Sequence, residues 1–197
     1  GSLVRTGKLT AESTNPDGVD NVIEVRDGGT LSASQIDIQA GVDIVVSNGT
    51  LTTPTVYVGR KAESKNIRVF VQGSEANLDL TNYWFFNAGH NHLWEFDGAT
   101  CLRPDAKPFW AAGQGLSSNV VRLVNGANVS LKQLGIPRED ACSSPAYGNE
   151  LFVGNDSTME IVNYLYAESV DSRIVVSNGT LLVNRAKNTS NHFILGN

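Results

Sequence analysis

A chain of 197 residues with 41% hydrophobic and 18% charged residues has ample material for a core and is too apolar for a disordered polar tract. Fifteen Lys+Arg against 20 Asp+Glu give a formal charge of -5, which argues against an electrostatic grip on nucleic acid or anionic lipid. No apolar run approaches the roughly 20 residues of a transmembrane helix, and one Met among abundant Val, Leu, Asn, Ser, Thr and 19 Gly favours strands and turns over helices, so an all-β fold is predicted.

In chain order, the predicted elements repeat one unit: an apolar strand, a turn of Asn or Asp with Gly, and a second apolar position. The first copy runs from Ile23 to Leu31 around Asp27-Gly28-Gly29. The second, Ile44-Val45-Val46-Ser47-Asn48-Gly49-Thr50-Leu51, recurs letter for letter at Ile174 to Leu181. Between these lie Val69 to Leu78 turning at Gln72-Gly73, Leu93 to Leu102 at Asp97-Gly98, Val121 to Leu131 at Asn125-Gly126, and Leu151 to Ile161 at Asn155-Asp156. A second recurring element is read in Val56 to Arg60, Leu151 to Asn155 and Phe193 to Asn197.

From turn to turn the steps are 21, 24, 25, 28, 30 and 23 residues, measured at positions 28, 49, 73, 98, 126, 156 and 179. Periods of this size without a helical segment predict a β-solenoid, whereas hairpin sandwiches turn every ~8–12 residues. One domain over 1–197 is expected, with roughly seven or eight coils. Each coil rises by about 4.8 Å, so that backbone groups pair with the coils above and below. Ile44 and Val46 are expected to point inward, with Gly49 supplying a positive φ and the turn asparagines bonded from coil to coil. Because the final element ends inside a repeat, the chain is expected to continue into further repeats of a longer solenoid.

Two insertions, 103–119 and 134–150, lengthen neighbouring coils and carry prolines that mark loops. Cys101 and Cys142 lie near their bases, an arrangement that allows a disulfide between them. Just before the first insertion, residues 82–96 hold six aromatics, Tyr83, Trp84, Phe85, Phe86, Trp94 and Phe96, together with His90 and His92. Two roles are open for this stretch. It forms a hydrophobic cluster beneath the first insertion, or some of its rings, with Trp110 of that insertion, stack on sugar faces or on a partner protein. Tyr83, Trp84, His90, His92, Trp94 and Trp110 are therefore the candidate ligand-binding residues. His90 and His92 would share one strand face, but no third metal ligand is evident, so no metal and no cofactor are expected. Five Asn-x-Ser/Thr triplets, at Asn48, Asn128, Asn155, Asn178 and Asn188, read as repeat chemistry more readily than as glycan acceptors.

The pattern of strand, Asn-Gly-Thr-Leu, strand and Val/Leu-Gly-Asn/Arg in 44–60 and 174–197 resembles the autotransporter-like passenger repeats of bacterial surface and secreted proteins. That resemblance implies a right-handed single-stranded parallel β-helix, secreted or attached to the cell surface. The expected function is a non-catalytic structural or adhesive module with a glycan or surface protein as partner. The alternative is a carbohydrate-active β-helix, a polysaccharide lyase or glycoside hydrolase, or its glycan-binding part. Catalysis lacks support in the residues: closely spaced acids are scarce, and nucleophile-elbow, phosphate-loop and zinc-protease motifs are absent.

Overall fold

The computed structural model describes residues 1–13, 21–80, 84–86, 88–103, 109–110, 117–135, 146–167, 170–188 and 192–196. They form a β-solenoid in which every strand pairing is parallel, and no helix occurs among them. The longest sheet, sheet B, stacks eight strands: β2 (Asn21–Arg26), β4 (Val42–Ser47), β7 (Arg68–Gln72), β10 (Leu93–Asp97), β13 (Val120–Val124), β15 (Glu150–Gly154), β17 (Arg173–Ser177) and β19 (His192–Gly196). After the turn that closes each of the first seven, the chain enters a strand of a facing sheet. Sheet A holds β1 (Leu3–Ala11), β3 (Thr30–Ile38), β5 (Thr50–Thr53) and β8 (Asn77–Leu80), with β6 (Val56–Val58) on the far half of β3. Sheet C holds β11 (Thr100–Arg103), β14 (Asn128–Gly135), β16 (Thr158–Ala167) and β18 (Thr180–Asn188). A short pair, β9 (Trp84–Phe86) with β12 (Phe109–Trp110), completes the set.

Strand alternation and in-register stacking together make columns of like residues. Ile23, Ile44, Val69, Trp94, Val121, Leu151 and Ile174 form one inward column of sheet B. Val25, Val46, Val71, Phe96, Leu123, Val153 and Val176 form the next. Leu31, Leu51 and Leu78, and then Cys101, Val129, Met159 and Leu181, face them from sheets A and C. Most of these are fully buried, each worth about 1.5–3 kcal/mol of apolar transfer. The inward placement of Ile44 and Val46 is thus as expected.

The turns stack too. Gly28 donates to the Asn48 carbonyl at 2.8 Å, Asn48 to Gln72 at 3.0 Å, Gly73 to Asp97 at 2.9 Å, and Gly98 to Val124 at 3.0 Å. Of the side-chain ladder, two rungs form among the described residues: Asn125 Nδ2 donates to Asp97 Oδ1 at 2.7 Å and Asn178 Nδ2 to Asp156 Oδ1 at 3.1 Å. The role expected of Gly49 belongs to its neighbour. Asn48 takes the left-handed conformation at φ 48° and Asn178 repeats it at φ 49°, as Asn tolerates. Gly49 and Gly179 are needed for closeness instead, since a Cβ would sit 2.8 Å from the Val25 carbonyl oxygen and 2.7 Å from that of Val153.

The second recurring element is not one structural position. Val56–Val58 pairs with β3 in sheet A, whereas Glu150–Gly154 and His192–Gly196 belong to sheet B. A different corner repeats instead, just before six of the eight sheet-B strands, β4 to β17. Gly41, Asn66, Asn91, Ser118, Gly148 and Asp171 all have φ between 52° and 58°, and after them come the buried residues Val42, Ile67, His92, Asn119, Asn149 and Ser172.

Candidate functional site

The aromatic stretch divides between the interior and the outside of the rod. Trp94 and Phe96 are inward residues of β10, 0% exposed, with ring centroids 6.2 Å apart. Trp94 is therefore part of the core, and no ligand can stack on it, which corrects its place among the binding candidates. Phe86 on β9 is equally buried and stacks on the His92 ring at 5.8 Å. The first insertion does return to this stretch: in β12, Phe109 pairs with Trp84 and Trp110 with Phe86. The side chains of Trp84 and Trp110 lie outside the described residues, as do Tyr83, Cys142 and the greater part of both insertions. Cys101 is buried in the interior column of sheet C.

His90 and His92 do not share a strand face. Both precede β10, and Asn91 between them turns the backbone through φ 55°, which breaks the alternation assumed from the sequence. His90 is half-buried on an outer corner, in a column of bridges through Lys65, Ser117, Tyr147 and Val170. His92 is 1% exposed and belongs to a ladder running through the molecule. Its Nδ1 accepts from the Ile67 N–H at 3.2 Å, so the proton resides on Nε2, which donates to the Ala88 carbonyl at 2.9 Å. The His92 N–H donates to Asn119 Oδ1 at 2.9 Å, the Asn119 N–H to Asn149 Oδ1 at 3.1 Å, and the Asn149 N–H to Ser172 Oγ at 3.2 Å. Burial pushes the His92 imidazole from its ordinary 6.5 down to about 4; the Ala88 bond opposes this and His90 adds to it. Among the described residues no group of three His, Cys, Asp or Glu is placed to hold a metal ion.

The outer face of sheet B carries the polar groups that the sequence reading overlooked. Register puts an acid and an arginine on adjacent rungs three times. Arg68 grips Asp43 through two bonds of 3.0 and 2.8 Å. Arg122 lies 3.5 Å from Glu95, and Arg173 bonds Glu150. The most buried acid on sheet A, Asp37, is likewise held by Arg60 at 2.9 Å and Lys8 at 3.1 Å. Between the Asp43–Arg68 and Glu150–Arg173 pairs, the same column holds Leu93 and Val120. These two half-buried side chains lie in a groove of about 510 Å3, with Phe152 beside them and Asn91, Ser118, Arg122 and Glu150 around the rim. The Arg122 guanidinium stands 5.6 Å from the Phe152 ring centre. Aligning the turns in sequence would have exposed the three acid–arginine pairs, because each pair occupies equivalent positions in successive repeats.

No helix among the described residues is long and apolar enough to cross a membrane. No protein-family model, curated protein or solved structure matches the chain, so none ties it to the passenger repeats that its turns resemble.

Proposed function

We propose that the chain is a non-catalytic structural or adhesive module of a secreted or surface-attached bacterial protein. It winds as a right-handed single-stranded parallel β-helix with one coil for each strand of sheet B, seven or eight in all, and presents its outer faces to a glycan or a surface protein. The observation that carries this reading is the pairing of three sheet-B carboxylates with arginines of the next coil. A hydrolase needs two carboxyl groups available to the scissile bond, whereas Asp43, Glu95 and Glu150 each face an arginine one rung away and so bind coil to coil. The buried Asn ladder and stacked turns serve the same end, a stiff rod whose neighbouring coils hold one another.

The test is a glycan-array screen run beside polysaccharide digests assayed for new reducing ends and for unsaturated products. Binding without product is expected of an adhesive module, and neither binding nor product of a spacer. Product that scales with protein concentration, and is absent from a heat-unfolded control, would overturn the reading.

A further inference from the structure

The groove on sheet B has Leu93 and Val120 as its floor, with Phe152 beside them on the next strand, its ring tip over Gly154, and Asn91, Ser118, Arg122 and Glu150 around them. From Leu93 to Phe152 the groove crosses three successive strands, about 10 Å at the strand spacing, and polar groups bound it. Apolar floors with a few convergent polar groups are the usual form of small-molecule sites.

The state of the rim charges narrows the ligand. Arg122 is held by Glu95, and Glu150 by Arg173. A ligand with net charge would compete with one of these pairs and leave its partner uncompensated, which is costly. A hydroxyl group can accept from an arginine or donate to a carboxylate with both pairs intact. Extended peptides fit poorly, because they dock by main-chain hydrogen bonds to a sheet edge, and here the face of a sheet is offered. A pyranose has one apolar C–H face for the floor and an equatorial ring of hydroxyls for the rim. We infer that this groove binds one or two residues of a neutral polysaccharide, with Leu93 and Val120 under the sugar ring, the Phe152 side chain against its edge and Ser118, Asn91, Arg122 and Glu150 on its hydroxyls. The inference rests on the adhesive form of the proposed function and gives it a ligand class and a place.

The experiment titrates the full chain by calorimetry with cellohexaose, mannohexaose and chitohexaose as neutral probes and hexagalacturonate as the acidic one. At least one neutral probe should bind. Phe152→Ala, which removes the ring, and Val120→Arg, which fills the floor, should each weaken that binding by about tenfold or more. Val45→Ala, on the same sheet face two strands from the groove, should leave it unchanged. Failure of every probe to bind overturns the groove and leaves a spacer role standing, whereas binding of the acidic probe alone overturns the groove but keeps the adhesive reading. Sugar binding that ignores both substitutions overturns the groove but keeps the adhesive reading. Cleavage of a bound probe overturns the non-catalytic reading, while the variants still decide the groove. Thermal melts of each variant separate lost binding from lost folding, and the two substitutions fail independently.

Discussion

A histidine ring with both nitrogens committed, Nδ1 to the Ile67 N–H and Nε2 to the Ala88 carbonyl, has nowhere to put a second proton. Its pKa is about 4 in the folded chain against 6.5 ordinarily, so the unfolded chain takes up the proton first. Stability from this site is complete above about pH 6.5 and is lost as the pH falls toward 4, by up to about 3 kcal/mol. His92→Asn should keep the ladder, since Asn119 and Asn149 accept the same kind of bond one and two coils on, and should remove the titration. Urea melts near pH 7 and near pH 4.5 should therefore show a smaller acid loss in His92→Asn than in the parent; equal losses would place the acid sensitivity elsewhere. At the turns, Gly49→Ala drives a methyl toward the Val25 carbonyl and should cost about 1–3 kcal/mol. Asn48→Gly, at φ 48°, should be nearly neutral in the same melts.

Among the strands, depth in the stack decides how much a substitution costs. Val46 has a rung on either side and is 0% exposed, whereas Val176 lies near the last rung and is only partly buried. Val46→Asp should abolish cooperative folding by leaving an unpaired buried charge; Val176→Asp should lower the melting temperature yet leave a folded protein. Trp94→Ala should cost about 3–5 kcal/mol, measured by the same melts. The strands and their turns were legible in sequence because a residue at positive φ restricts the choice to Gly, Asn or Asp, which recur visibly. Counting back four and two positions from Asn48, Gly73 and Gly98 reaches Ile44 and Val46, Val69 and Val71, then Trp94 and Phe96, so the burial of Trp94 was also within reach of the alignment. The corner before the sheet-B strands β4 to β17 was harder to see. Gly, Asn, Ser and Asp all meet its φ, and the column behind it changes from Val and Ile to His, Asn and Ser. The groove was illegible for a related reason: Leu93 and Val120 gain meaning only from their neighbours one rung away in space and some 25–30 residues apart in sequence.

At the scale of the whole molecule, eight parallel strands spaced by about 4.8 Å make a stack of about 34 Å. The circular dichroism spectrum should be β-rich, and solution scattering should give a particle longer than it is wide. A helical spectrum would contradict the fold.

Among the described residues the three bulkiest fully buried side chains, Phe86, Trp94 and Phe96, all fall within eleven consecutive residues. On either side the facing positions hold the small Val69 and Val71, or Val121 and Leu123. Two other coils carry an identical octapeptide, Ile44 to Leu51 and Ile174 to Leu181, and could exchange places without a steric penalty inside the repeat. The wide rung acts as a key in this otherwise permissive lock. If the chain threads one coil out of step, Trp94 must enter a slot shaped for valine, and the misthreaded stack is penalised before it can close. Trp94→Val should accordingly refold to several species resolved by native electrophoresis, where the parent refolds to one.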